Sequence, residues 1–121
     1  MHFSSPNLQS AMLFMAACLT IPTFAADCGQ SGNCFSSGAT RDNMYAARQE
    51  VCGTNRWKKA GHYRVPGKTG YLRWTGVDTQ QTCWDAYDNI INQCKLGDSG
   101  VHTHSGQYQY NGVYYNAVDC E

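Results

Sequence analysis

Residues 82–94, TCWDAYDNIINQC, decide the fold of this chain, because they predict a helix that carries two cysteines. The segment from Thr82 to Asp85 resembles a capping box with aspartate as its acid, and Gly97 supplies a stop signal. Eleven residues turn an α-helix by about 1,100°, which leaves the two cysteines about 20° apart on one face. Both are therefore predicted to point into the core. The apolar stripe keeps the helical period throughout (Cys83, Tyr87, Ile90, Ile91 and Cys94).

A β-hairpin is predicted on the C-terminal side of this helix. Residues 108–110 (YQY) and 113–115 (VYY) flank Asn111-Gly112, which favours a type I′ turn because both central residues need positive φ. In that register one face is rich in tyrosine and is expected to pack on the helices (Tyr108, Tyr110, Val113 and Tyr115). The other face carries Gln109, Tyr114 and Asn116.

A first helix and two further strands are predicted on the N-terminal side. Thr40 or Asp42 can cap a helix that runs to Cys52, and Gly53 stops it. Residues 62–65 and 71–75 read as strands bounded by glycine and proline. These elements predict an α+β fold, a small disulfide-stapled sandwich in which two helices pack on an antiparallel sheet.

The N-terminal segment predicts secretion. Residues 11–25, AMLFMAACLTIPTFA, have the length of a signal-peptide core and end with small residues at the −3 and −1 positions. The run is too short to span about 30 Å of hydrocarbon. We predict cleavage after Ala25, so that residues 1–25 are a signal peptide and residues 26–121 form one extracellular domain.

Cleavage would leave six of the seven cysteines, and an even number in a small secreted domain predicts three disulfides. No CxxC pair is present, so we expect no metal site and no cofactor. Spacing alone leaves the pairing open. The six are Cys28, Cys34, Cys52, Cys83, Cys94 and Cys120.

Charge is balanced overall, with nine basic against nine acidic residues, which argues against a nucleic-acid-binding tail. It is segregated along the chain, because residues 56–77 hold six basic residues and no acid. With interleaved aromatic residues, this stretch is suited to phosphates, acidic glycans or anionic lipid heads. The alternative is a solvated strand face whose charges pair with the acidic second helix. The predicted binding residues are Arg56, Trp57, Lys58, Lys59, Lys68 and Tyr114.

His102 and His104 lie on the same side of the chain if this segment is extended, which suggests a metal pair or an acid–base set. No further ligands stand at a recognisable spacing. We expect no carboxylate partner close to the sheet, because the only glutamates are Glu50 and Glu121. We therefore interpret both histidines as loop residues.

The cysteine frame Cys28-x5-Cys34, the helix that reaches Cys52-Gly53, the spacing Cys83-x10-Cys94 and the final Cys120 together resemble the smut-fungus killer toxin family and its secreted relatives. That resemblance implies an α/β sandwich. It also implies the disulfides Cys28–Cys94 and Cys52–Cys83, with Cys34 left to pair with Cys120. The cysteine beside the functional lysine of that family is absent here, so no channel-blocking residue is carried over.

A second resemblance is to secreted mushroom glycan-binding proteins. It rests on residues 34–38 (CFSSG), the later two-cysteine helix and the closing Cys120. It implies a non-enzymatic sugar binder in which aromatic rings and amides contact the sugar. The outer hairpin face with Gln109, Tyr114 and Asn116 would be the site, and the alternative is that these residues only decorate the strand.

A third resemblance is to fungal guanine-specific ribonucleases, carried by residues 28–37 (CGQSGNCFSS) and by the endings His104-Ser105-Gly106 and Asp119-Cys120. It implies His104 as the catalytic acid and His62 as a second histidine. The strand glutamate and the arginine motif of that family are missing. We therefore expect that catalysis has been lost and that the protein is not an enzyme.

The sequence as a whole predicts a secreted fungal effector or toxin, without catalysis, that contributes to virulence by binding a surface component of a target cell. The expected partner is a glycan or membrane protein of a host or competitor, and the protein is expected to be a monomer that does not span a membrane. The first alternative is a lectin, and the second is an inactive ribonuclease-like protein.

Overall fold

The computed structural model describes residues 25–30 and 38–121. It contains two α-helices, one 3₁₀ helix and five strands in the described residues, which confirms the predicted α+β class. The predicted signal peptide, apart from Ala25, lies outside the described residues, as does Cys34. In chain order the elements are β1 (Asp27–Gly29), α1 (Arg41–Cys52), the 3₁₀ helix (Arg56–Lys58), β2 (Gly61–Arg64), β3 (Tyr71–Trp74), α2 (Gln80–Gln93), β4 (Ser105–Tyr110) and β5 (Val113–Val118).

Helix α1 begins and ends where the sequence predicts. Of the two candidate caps, Thr40 is used: its hydroxyl accepts the Asn43 N–H at 3.1 Å, and the Asn43 side chain accepts the Thr40 N–H at 3.0 Å. This reciprocal pair satisfies two amides that the first turn leaves without helical partners. The helix ends at Cys52, followed by Gly53 as its C-cap.

Helix α2 starts earlier than predicted. Its N-cap is Thr79, whose hydroxyl accepts the Thr82 N–H at 3.1 Å, so Thr82 lies inside the first turn. The predicted capping box at Thr82–Asp85 is therefore wrong, and the Asp85 carboxylate instead accepts the Gln81 side-chain amide at 3.0 Å. The helix ends at Gln93, before the predicted stop at Gly97, because Lys95 already adopts a left-handed conformation with φ of 54°.

The five strands form one antiparallel sheet in the order β1-β4-β5-β3-β2. The β4–β5 hairpin has the predicted register, with Tyr108 opposite Tyr115 and Gln109 opposite Tyr114. Its turn residues have φ of 51° (Asn111) and 80° (Gly112), as a type I′ turn requires. Strand β1 was not predicted from the sequence.

Both helices pack on the same face of the sheet. The predicted tyrosine-rich side of the hairpin contributes to this core, where the rings of Tyr87 and Tyr115 meet edge to face at 5.6 Å. The Tyr87 hydroxyl also donates to the backbone carbonyl of Arg73 at 2.7 Å, which ties α2 to β3. The opposite face of the sheet carries neither helix.

Two disulfides staple the layers together, and they are the two pairs that the killer toxin resemblance implies. Cys28–Cys94 joins β1 to the end of α2, and Cys52–Cys83 joins α1 to α2. The backbone of Gly106 lies so close to the first disulfide that a Cβ there would come within 2.6 Å of the Cys94 sulfur.

Cys120 is disulfide-bonded, and its predicted partner, Cys34, lies outside the described residues. Within residues 25–30 and 38–121, no helix has the length and hydropathy needed to cross a bilayer.

Candidate functional site

For residues 25–30 and 38–121, the face of the sheet opposite the two helices, called here the uncovered face, carries an ordered row of polar side chains. Antiparallel strands place directly paired residues on the same face, so the register identifies the neighbours across the sheet. Gln107 on β4 lies between Asp27 and Asn116, and Arg73 on β3 lies between Asn116 and His62. With strands about 4.8 Å apart, the row is about 19 Å long. Its charge changes from negative at the β1 edge to positive at the β2 edge.

None of these five side chains is hydrogen-bonded to another described residue. Asp27, Arg73 and His62 are exposed, while Gln107 and Asn116 are half-buried. A surface amide with both its donors and its acceptor free is ready to exchange its water for a polar ligand. We call this set, Asp27, Gln107, Asn116, Arg73 and His62, the polar row.

A second row of paired residues runs beside the polar row, and the different sizes of its side chains shape the surface. Gly29 pairs with Ser105, Ser105 with Val118, and Val118 with Tyr71. Small residues at the β1 side and the Tyr71 ring at the β3 side leave a cleft of about 490 Å³. This volume lies within the range of small-molecule sites. We call it the sheet-face cleft; Asp27, Gly29, Tyr71, Arg73, Ser105, Gln107, Asn116 and Val118 are among the residues that line it.

A smaller, mostly cationic recess continues from the cleft past Tyr71 and Arg73, which line both. Here the Arg64 guanidinium lies 6.0 Å from the centre of the Tyr71 ring, and the His62 ring lies 5.6 Å from it. Arg64 also forms an ion pair with Glu121 at 3.4 Å, in which both side chains are more than half exposed. An exposed pair of this kind contributes about 0–1 kcal/mol and exchanges readily with other partners.

The structure divides the residues predicted to bind a target. Arg56, Trp57, Lys58 and Lys59 belong to the 3₁₀ helix and the residue after it, between α1 and β2. Trp57 and Lys58 line a surface recess of their own. Lys68 lies in the β2–β3 turn, whereas Tyr114 lies on the uncovered sheet face. The six residues therefore form no single site, and the involvement of each stays a prediction.

The basic residues of the 56–77 stretch do not pair with the acidic second helix in the way that the alternative of a solvated strand face predicted. Arg56 forms an ion pair with Glu50 on α1 at 3.1 Å and lies over the Tyr63 ring, and Arg64 pairs with Glu121. Neither arginine pairs with the acidic helix α2. The stretch is thus split between the helix layer and the uncovered sheet face.

Only part of the outer hairpin face that the glycan-binding resemblance indicated lies in the sheet-face cleft. Asn116 lies in the sheet-face cleft. Tyr114 is 38% exposed, opposite Gln109, and both lie further along the hairpin toward its turn. The cleft therefore begins one row away from the predicted tyrosine and uses Tyr71 as its aromatic residue.

His104 has a carboxylate neighbour, so the expectation that none lies near it is wrong. Its Nδ1 is 3.3 Å from Oδ1 of the buried Asp119, and the other oxygen of Asp119 accepts the Gly97 N–H at 2.6 Å. Burial raises the pKa of Asp119 above its ordinary value of 3.8, although the Gly97 hydrogen bond and His104 act in the opposite direction. Through its contacts with Gly97 and His104, Asp119 holds the loop after α2 against the end of β5.

The same residues do not form a metal site. The side chains of His104, Asp119 and Cys120 lie close together, but the Cys120 sulfur is committed to a disulfide. His62 lines the cationic recess on the uncovered face, and His104 lines a different recess beside Gly97. The two histidines that the ribonuclease resemblance implied are therefore not brought together.

An acidic groove lies between α2 and β4, on the helix side of the sheet. Asp85, Asp88, Tyr108 and Tyr110 are among its lining residues. Its carboxylates are already engaged: Asp85 with Gln81, and Asp88 with the Tyr45 hydroxyl at 2.8 Å and with Asn92. This groove therefore offers a ligand fewer free groups than the polar row does.

Sequence reasoning missed most of the sheet-face cleft. Tyr71 and Arg73 were noted as part of the basic, aromatic stretch, but their alternation with buried Leu72 and Trp74 is the signal that places both on one exposed face. Asp27 and Gln107 carried no local signal, since their position depends on the pairing of β1 with β4.

Comparison with known proteins gives one family. The family model described as "Alpha-galactosyl binding lectin" matches residues 39–117, which is more than half of the chain. The match agrees with the glycan-binding resemblance and leaves the killer toxin resemblance unconfirmed. No significant match to a curated protein or to a solved structure was found.

Proposed function

Because this chain belongs to the alpha-galactosyl binding lectin family, we propose that it is an extracellular lectin that binds α-linked galactosyl residues in the sheet-face cleft. The family match supports glycan binding without catalysis. The position of the site is our inference from the geometry of the uncovered sheet.

One observation carries the assignment of the cleft. Asp27, Gln107 and Asn116 stand side by side on a solvated face, and none of them is hydrogen-bonded to another described residue. A polar group that has no structural partner costs nothing to leave in water, but it can recognise a ligand without breaking a contact of the fold. The acidic groove lacks this property because its carboxylates are engaged within the protein.

The chemistry of the cleft suits a galactose ring. The side-chain amides of Gln107 and Asn116 each present donors and an acceptor, which match neighbouring hydroxyls that also donate and accept. The Asp27 carboxylate accepts charge-assisted hydrogen bonds from hydroxyls at the β1 edge. Tyr71 provides an aromatic surface for the face of the ring on which its C–H groups cluster.

The supporting fold keeps this arrangement in place before the ligand arrives. Cys28 is bonded to Cys94, which fixes Asp27 and Gly29 on either side of it, and Tyr87 holds the backbone of Arg73. A site that is already ordered loses less conformational entropy on binding. The Cys28–Cys94 disulfide therefore serves recognition as well as stability.

We propose that the protein acts outside the cell after removal of residues 1–25. Disulfides form and persist in oxidising compartments, and two are present among the described cysteines. Its partners would then be glycans on the surface of a host or a competing organism. An effector or toxin role, if it has one, would be exerted through those glycans.

Titration calorimetry of the disulfide-bonded protein tests the proposal. Methyl α-galactoside should bind, and methyl α-glucoside, which differs only in the configuration at C4, should bind more weakly. The Asn116→Ala variant should weaken binding by about tenfold, since it removes hydrogen bonds that together contribute roughly 1.4 kcal/mol. Gln109→Ala removes an amide from the same face outside the cleft and should leave the affinity within about twofold.

Absence of galactoside binding by the wild-type protein would overturn the proposed function. Equal losses in the Asn116→Ala and Gln109→Ala variants would instead place the sugar outside the sheet-face cleft.

A further inference from the structure

The cationic end of the uncovered face is the feature that the proposed galactosyl site does not use. His62 and Arg64 lie on β2 beyond the sheet-face cleft, and within the polar row Arg73 lies between His62 and Asn116. Among the described residues, Arg73 has no carboxylate within ion-pair distance. The recess is therefore short of negative charge.

The carboxylate in this recess is only weakly held. Glu121 contacts Arg64 at 3.4 Å, but the Glu121 side chain is 59% exposed and that of Arg64 is 51% exposed. Water screens a pair at this exposure, so a bound anion can take the place of Glu121 at little cost. In this recess the Glu121 carboxylate thus occupies the position beside Arg64 that we expect a bound anion to take.

Three basic side chains, His62, Arg64 and Arg73, line this recess. Arg64 and His62 both lie beside the Tyr71 ring, at 6.0 Å and 5.6 Å from its centre, and Arg73 is directly opposite His62 across the β2–β3 pair. Two guanidinium groups present planar sets of N–H donors, which suit the oxygens of a sulfate or carboxylate. The Tyr71 ring is shared between this recess and the cleft.

We infer that the lectin recognises an acidic glycan, in which a sulfate or carboxylate group attached next to the galactosyl residue binds His62, Arg64 and Arg73. The inference rests on the proposed function, because it places the anion beside a galactosyl unit in the sheet-face cleft. The polarity of the row fixes the orientation: hydroxyls face Asp27 and the anionic group faces β2. The recess thus contributes selectivity among galactosides.

Calorimetric titrations at low ionic strength test this inference. The probes are methyl α-galactoside, the same galactoside carrying a sulfate, and a disaccharide of galactose with a uronic acid, which separates sulfate from carboxylate recognition. We expect at least one anionic probe to bind about five- to tenfold more tightly than the neutral one, and the preference to shrink as salt is added.

The Arg64→Gln variant should reduce that preference to less than about twofold while it leaves the affinity for the neutral galactoside unchanged within about twofold. Lys58→Gln removes the same charge from the helix layer and is the matched control, so it should keep the preference. If both variants lose the preference for anionic galactosides equally, that preference comes from long-range electrostatics, and the proposed role of the recess is wrong.

The outcomes separate the two proposals. If the neutral galactoside binds and neither anionic probe binds more tightly, the acidic-glycan inference is wrong and the lectin assignment stands. If no galactoside binds, both fail. Tight binding to vesicles of anionic phospholipid that galactosides do not inhibit would also overturn the inference, because the recess would then serve a membrane surface.

Discussion

The two disulfides that join described cysteines allow a direct test of how the fold serves the site, because one of the two touches the sheet-face cleft and the other does not. Cys28–Cys94 holds β1, whose residues Asp27 and Gly29 line the cleft. Cys52–Cys83 joins the two helices on the other side of the sheet. Removing each bridge by a double Cys→Ala substitution should therefore separate stability from recognition.

The expected losses of stability are similar. The bridges close loops of 66 and 31 residues, and the chain-entropy relation gives about 4.3 and about 3.7 kcal/mol for them. For a domain of this size each kilocalorie shifts the melting temperature by about 4–8 °C, so either variant should melt roughly 15–30 °C below the wild type. Circular dichroism melts measure this shift.

The expected effects on binding differ. Without Cys28–Cys94, β1 is a three-residue edge strand, held by its pairing with β4, by the His104 N–H bonded to the Gly29 carbonyl and by the Ala26 N–H bonded to Gln93. Short edge strands of this kind open locally at little cost. The loss of one charge-assisted hydrogen bond from Asp27 is worth roughly 1.5 kcal/mol, so affinity should fall about tenfold.

The measurement is galactoside titration at a temperature where both variants remain folded. The Cys52→Ala/Cys83→Ala variant should bind within about twofold of the wild type, and the Cys28→Ala/Cys94→Ala variant about tenfold more weakly. Equal affinity of the two variants would refute the argument that the disulfide at β1 builds the site. A melting temperature shifted by less than about 5 °C would refute the stability argument.

Three further predictions concern single residues. Tyr71→Ala should weaken galactoside binding about tenfold and Tyr114→Ala by less than twofold, and the reverse order in calorimetry would place the sugar on the hairpin end. Gly97→Ala should destabilise the protein by about 2 kcal/mol or more in urea, because φ is +84° and a Cβ would overlap the Arg41 backbone; a loss below about 0.5 kcal/mol would contradict this. Burial raises the folded-state pKa of Asp119, so the folded protein binds the carboxyl proton more tightly than the unfolded chain does. The free energy of unfolding of the wild type, relative to that of the Asp119→Asn variant, should therefore fall as pH rises above 3.8. A wild-type urea midpoint that stays constant or rises with pH relative to the variant's would contradict this.

Much of the fold follows from local sequence signals. Thr40, Gly53 and the Asn111-Gly112 turn act on their immediate neighbours, and the structure uses all of them as predicted. The start of α2 was missed because Thr79 and Thr82 are both plausible caps, and the pattern Thr82-x-x-Asp85 favoured the wrong one. The disulfide pairs came from a resemblance and not from spacing.

The candidate site was less accessible to sequence reasoning because it is assembled by strand order. Asn116 was placed on the exposed side of the hairpin correctly. Its neighbours Gln107 and Arg73 come from strands on its two sides, and the pairing of β3 with β5 crosses the whole of α2 in sequence. No local pattern specifies such non-consecutive neighbours, so the row of polar side chains became visible only in the structure.

The most direct test of the central claim is a titration of the ¹⁵N-labelled, disulfide-bonded protein with methyl α-galactoside, followed by the backbone amide signals. We expect the largest shifts in β1, at residues 71–73, at residues 105–107 and at residues 116–118, all of which surround the sheet-face cleft. Shifts confined to residues 82–89 and 108–110, or to residues 53–58, would contradict the account. An unchanged spectrum at saturating sugar would contradict it as well.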